Sequence, residues 1–122
     1  MKIPLEVVWK KKNFKINLNQ YRNTHHYMLN KVKQDFIEQN YNEMYNQERI
    51  EWTYKLEVVL YLKRKADIDN FWSVLIKFLL DALQRLGKVE EDNCDYFKWY
   101  NVEYWWKTKE EKSYAIVNIV KI

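Results

Sequence analysis

One cysteine, one proline and one glycine in 122 residues set the first limits on this chain. A lone thiol, Cys94, forms no internal disulfide, which suits a reducing cytoplasm and a protein held together by its core. It is expected to be inert. With glycine and proline so scarce there is no linker and no low-complexity tract. No internal repeat is present either, so residues 1–122 are expected to form a single domain. The apolar runs all fall well short of the roughly 20 residues that span a bilayer. The N-terminal run from Ile3 to Trp9 is broken by Glu6 and ends in lysines, unlike a signal peptide. Histidine is also rare. His25 and His26 are adjacent and would point about 100° apart on a helix, so at most one could face a site, and neither is expected to be catalytic.

What is abundant is apolar, aromatic and charged. Hydrophobic residues at 48% and charged residues at 31% describe a folded globular chain rather than a disordered one. Aromatics reach 17%, more than a small core needs, which leaves rings for a partner or a dimer interface. A formal charge of +4 leans towards phosphate-rich partners wherever the cations cluster.

The periodicities predict an α+β domain. Lys2 to Trp9 reads as a strand, with Pro4 suited to an edge. The basic, Asn-rich stretch KKKNFKINLNQYRNTHH reads as a loop. Thr24 could cap a helix running to about Asn46, with Leu29, Val32 and Phe36 on its apolar side. From Trp52 to Lys63, Leu56, Val58, Leu60 and Leu62 alternate onto one face, the mark of a strand. A second helix is expected from about Asn70 to Leu86, with Gly87 as its C-cap. Its apolar arc covers roughly two thirds of the circumference, as expected of a central helix or one buried by a second subunit as well. Its polar stripe is Asn70, Ser73, Lys77, Asp81 and Gln84. Asp95 to Trp106 and Ser113 to Ile122 read as strands joined by a KTKEEK hairpin loop. The expected order is β-α-β-α-β-β.

The chemistry gathers between Lys63 and Asp92. Asp67 and Asp69 are two apart, and on an extended segment both would point to one side. Two carboxylates so placed repel unless a cation lies between them, and oxygen donors suit Mg²⁺. The acidic turn Glu90, Glu91, Asp92 could return a third carboxylate. The plainer reading makes Asp69 or Asn70 a helix cap and the acidic turn a solvated one. Lys77 could neutralise the carboxylates or a phosphate, or simply pair with Asp81 one turn on.

Taken in order, DIDN at 67–70, KFLLDAL at 77–83, Gly87 and EDN at 91–93 resemble the RusA family of Holliday junction resolvases, above all its bacteriophage branch. NLNQYRNTHH at 17–26 is similar to the Asn-containing N-terminal segment of the phage members. The likeness spans about residues 16 to 95. It implies that Asp67, Asp69 and Asp92 are the catalytic, metal-binding aspartates and Lys77 the catalytic lysine. In family members with a shorter helix the lysine stands where this chain has Ser73. Lys77 lies one turn further on, nearly on the same face. Glu91-Asp92 replaces the family's acidic pair, which leaves Asp92 in place.

The resemblance further implies a homodimer that uses Mg²⁺, with Mn²⁺ as the alternative ion and no small-molecule cofactor. Such a dimer nicks a four-way DNA junction symmetrically during recombination and repair, leaving 5′-phosphate and 3′-hydroxyl ends. The setting would be the cytoplasm of a bacterium or a phage-infected cell, with no membrane partner. DNA would be held by Lys63, Arg64 and Lys65 beside the aspartates, and by Lys12, Lys15 and Arg22. Trp99, Trp105 and Trp106 could stack on unpaired bases at a junction, but are expected to pack in the core or a dimer interface. The alternatives are a nuclease for forks or flaps and a non-catalytic junction-binding protein.

Overall fold

The computed structural model describes residues 1–9, 13–65, 68–90, 95–106, 108–110 and 112–122, with backbone alone at 68 and 69. Four strands form the main sheet: β1 (Lys2–Pro4), β4 (Tyr54–Leu62), β5 (Phe97–Trp106) and β6 (Tyr114–Lys121), in the spatial order β1-β6-β4-β5. β2 (Glu6–Val7) and β3 (Phe14–Lys15) make a small antiparallel ribbon. The helices are α1 (Leu18–Arg22), α2 (His26–Gln39), α3 (Tyr41–Tyr45) and α4 (Ile68–Arg85). The mixture of helix and strand is the α+β class that the periodicities predict.

β4 lies at the centre because its alternation is strict. Tyr54, Leu56, Val58, Leu60 and Leu62 are buried and meet Val74, Leu75, Phe78 and Leu79 of α4 in one core. The other face of the sheet, with Glu57, Val59, Tyr61, Ile116 and Asn118, is partly or fully exposed. Much of the apolar arc of α4 is covered within its own chain. Trp72, Leu80, Ala82 and Leu83 are buried along with the four residues already named, as expected of a central helix, while Phe71, Ile76 and Leu86 are partly exposed. Gly87 closes the helix at φ 69°, the left-handed conformation that favours glycine.

Four expectations change. The first strand is two short ones, because the chain changes partner at Leu5, whose amide donates to Ser113 O at 3.1 Å while its carbonyl accepts from the Ile16 amide at 3.0 Å. The stretch read as a basic loop contains β3 and α1. Phe14 and Ile16 are buried in alternation, and the Asn17 side chain accepts a hydrogen bond from the Gln20 amide to start α1. His25, not Thr24, caps α2, its Nδ1 accepting from the Tyr27 amide at 3.3 Å, while the Thr24 hydroxyl donates back to Gln20 O at 2.6 Å and closes α1. The long helix ends at Gln39, where buried Asn40 donates from its side chain to Phe36 O at 2.9 Å and α3 begins separately.

The KTKEEK connection also differs from expectation. It is not a hairpin loop, since β5 and β6 do not pair. β5 runs parallel to β4 and β6 antiparallel to it, so the connection crosses the end of β4. Alternation identifies a strand and its buried face. It does not name the neighbour that the strand will pair with.

Candidate functional site

The end of β4 is where the cations collect. Leu62 fills the last core position, and Lys63, Arg64 and Lys65 follow it into solvent. Thr108 donates its amide to Leu62 O at 3.1 Å, which draws the β5–β6 connection over the same place. Lys63 is tied into that connection. Its ammonium donates to Glu110 O at 2.7 Å and its amide to Ser113 Oγ at 3.0 Å.

Between this strand end, β3 and the start of α1 lies a cleft of about 410 Å³. Lys15, Lys63, Arg64 and Lys112 line it, with Asn17 and Phe71. Among the described residues, Glu6 is the one carboxylate on its wall. It lies 3.4 Å from the Lys112 ammonium and accepts a hydrogen bond from Asn13 Nδ2 at 3.1 Å. Among the described residues, four cations face one anion, the electrostatic footprint of a phosphate backbone. Lys15, Lys63 and Arg64 were legible in the sequence. Lys112 was not, because no local pattern says that the β5–β6 connection crosses β4.

The remaining proposed contacts spread out from the cleft. Lys65 lies with its ammonium 4.6 Å from the Trp106 ring centroid, nearer the edge strand β5. Lys77 is exposed on α4, its ammonium 4.9 Å from the ring centroid of Tyr21, and Arg22 is exposed next to that tyrosine in α1. Asp81, the plainer partner for Lys77, pairs with Arg85 instead. Arg85 Nε lies 3.2 Å from Asp81 Oδ2 but outside hydrogen-bonding geometry, so the contact is coulombic. Lys77 is thereby left as a cation on the polar stripe, resting against an aromatic face.

Asp67, Asp92, Glu91, Lys12 and Cys94 lie outside the described residues. Asp69 stands in the first turn of α4, which begins at Ile68 rather than Asn70. The extended geometry that favoured a shared side for the two aspartates therefore does not reach Asp69. Two ring contacts relate the beginning of α4 to the beginning of β5. Trp72, three residues after Asp69, lies 4.8 Å from Tyr100, and Tyr100 lies 6.4 Å from Phe97, five residues after Asp92.

Glu90, the first of the acidic turn, pairs with Arg49 at 2.9 Å, and Arg49 also donates to Gly87 O. That carboxylate is taken up in closing the end of α4. Among the described residues, no three His, Cys, Asp or Glu side chains form a group able to hold a metal ion. The expectation that Trp99, Trp105 and Trp106 pack in the core does not hold within the chain, for all three are exposed on β5. Among the described residues, no helix is long and apolar enough to cross a membrane. No protein-family model matches the chain, and no curated protein sequence matches it.

Proposed function

We propose that this chain is a RusA-like, Mg²⁺-dependent endodeoxyribonuclease that resolves Holliday junctions by paired symmetric nicks. It would act as a homodimer in the cytoplasm of a bacterium or a phage-infected cell. The observation that carries the reading is the cleft lined by Lys15, Lys63, Arg64 and Lys112, whose wall includes Arg64, three residues before the DIDN motif, and Phe71, the residue after it. A positive groove beside a pair of aspartates is what hydrolysis of a phosphodiester requires.

Asp67, Asp69 and Asp92 would offer oxygen donors only, a set that fits Mg²⁺ and also Mn²⁺. When bound, the ion supplies charge to polarise the scissile phosphate and lowers the pKa of a water. The chain's own residues do the rest. Arg64, Lys15 and Lys112 hold the phosphate backbone, Arg64 through a planar fork that matches two phosphate oxygens. Lys77, resting on Tyr21, offers an ammonium to the negative charge that grows on the phosphate in the transition state. Two sites in a dimer give two nicks, with 5′-phosphate and 3′-hydroxyl products.

A synthetic four-way junction, a fork and a linear duplex, each incubated with Mg²⁺ or EDTA, test the reading by mapping of the nicks. Paired symmetric nicks on the junction alone, abolished by EDTA, are the expected result. Equal cutting of the fork would make the substrate branched DNA in general. Tight junction binding with no cutting would make the chain a binding protein.

The cleft carries a separate expectation. Arg64→Ala and Lys112→Ala should each weaken binding uniformly across DNA sequences. Each should also lower the slope of log affinity against log salt by about 0.9 for every phosphate that is no longer neutralised. Fluorescence anisotropy over a salt series measures both. An unchanged slope in both variants would remove the cleft from the interface.

A further inference from the structure

β5 is the terminal strand of the sheet, with β4 on one side and, among the described residues, no strand on the other. It is also the most aromatic strand. Trp99, Tyr100, Tyr104, Trp105 and Trp106 are 51%, 49%, 40%, 60% and 42% exposed. Aromatic side chains bury about 150–250 Å² each, so these five leave on the order of 500 Å² uncovered. That area is divided between the two faces of the strand, and together with the strand's open edge it moves towards the roughly 800 Å² per partner of an ordinary interface. A ten-residue edge strand with such side chains is a template for pairing with another strand.

The sequence of β5 says which strand. Residues 99–105 read Trp-Tyr-Asn-Val-Glu-Tyr-Trp, a near-palindrome centred on Val102. A twofold axis makes a surface face itself, so a strand that pairs with its own copy must be complementary to its own reversal. We propose that β5 pairs antiparallel with β5 of a second copy about a twofold axis at Val102, joining two sheets into one. Trp99 then lies opposite Trp105 of the second copy, Tyr100 opposite its Tyr104, and Asn101 opposite its Glu103.

The two faces are consistent with this register. Trp99, Asn101, Glu103 and Trp105 align with Lys55, Glu57, Val59 and Tyr61 on the open face of the sheet. Tyr100, Val102 and Tyr104 align with Leu56, Val58 and Leu60 on the helix face. An axis perpendicular to the sheet keeps each face on its own side, so it must pass through a residue position. Moved to Asn101, it sets Trp99 against Glu103. Moved to Glu103, it sets the two Glu103 carboxylates against each other. At Val102 ring meets ring and an amide donor meets a carboxylate.

The inference gives the homodimer of the proposed function its interface and does not rest on the aspartate chemistry, so a dimer that forms elsewhere overturns the inference and leaves that reading standing. The test uses the full chain with Cys94→Ser as background. Val102→Cys places two thiols opposite each other at the axis. Directly opposite Cα atoms in antiparallel strands are about 4.5–5.5 Å apart, inside the disulfide range. Mild oxidation at micromolar concentration should convert most of the protein to a covalent dimer. Asn118→Cys, exposed on β6, should stay monomeric on the same gel.

Register is read by sedimentation equilibrium. Asn101→Lys sets an ammonium against Glu103 twice per dimer and should tighten association by roughly tenfold, whereas Asn101→Glu should weaken it by a similar factor. A monomer at every concentration overturns the proposal. So does crosslinking of Asn118→Cys as readily as Val102→Cys, or a dimer indifferent to both Asn101 variants. A further contrary result is Trp99→Ala and Trp105→Ala lowering junction affinity without changing association, which would make β5 a stacking surface for bases.

Discussion

Asp69→Asn is expected to slow junction cutting on the order of 10³-fold, about 4 kcal/mol in the barrier, while junction binding stays nearly unchanged. The choice of variant follows from where the residue stands. The backbone of Asp69 is in the first turn of α4, a position where helix dipoles in general favour a negative charge. Asparagine keeps the size and one acceptor oxygen, and exchanges the other oxygen and the charge for an NH2 donor. The helix loses about 0.3–1 kcal/mol of dipole interaction, a shift of a few degrees in Tm. A metal ligand loses much more, because a neutral amide oxygen neither balances a divalent charge nor holds the ion as a carboxylate does. Single-turnover cutting of a labelled junction, run beside anisotropy and a thermal melt, therefore separates the two roles. Cutting at the rate of the unmodified chain would remove Asp69 from the metal site and leave it a helix-start residue.

Legibility in the sequence followed the range over which each signal acts. The alternation of Leu56, Val58, Leu60 and Leu62 is a property of consecutive residues, and all four are buried as expected. The stripe of α4 and its end at Gly87 are equally local. The stretch from Phe14 to Arg22 reads as a loop because its asparagines outweigh a short alternation. Yet Asn17 is the cap that starts α1, so the residue that argues against structure is the one that organises it. The partner of β5 and the path of the β5–β6 connection depend on strands far apart in the chain, and no window of sequence contains them. The same holds for the candidate site. Lys15, Lys63 and Arg64 could be named from the sequence, but their meeting with Lys112 in one cleft required the crossing over β4.

The largest loss of stability is expected from Phe78→Ala. Phe78 is fully buried in the middle of α4, and its ring is where the separate parts of the fold meet. It stacks on Phe14 of β3 at 6.0 Å, meets Phe36 of α2 edge-on at 5.4 Å and lies 6.5 Å from Tyr21 of α1. Truncation removes the transfer energy of the ring and leaves a cavity that these three neighbours cannot all close at once. Such changes cost about 3–5 kcal/mol, and loss of the aromatic pairs lies towards the upper end. Against a total of about 5–15 kcal/mol for a domain of this kind, that is a third or more of the margin. Urea denaturation should show a midpoint lowered in proportion with little change in slope, and the melt should fall by roughly 10–20 °C. Phe78→Leu keeps most of the volume and should recover more than half of the loss. The effect also reaches function. Tyr21 carries Lys77 on its outer face and Phe78 behind it, so loosening Phe78 should let the ammonium wander before the fold itself gives way. In Phe78→Leu, studied well below its melt, cutting should therefore fall several-fold more than junction binding, because the interaction removed is one made in the transition state.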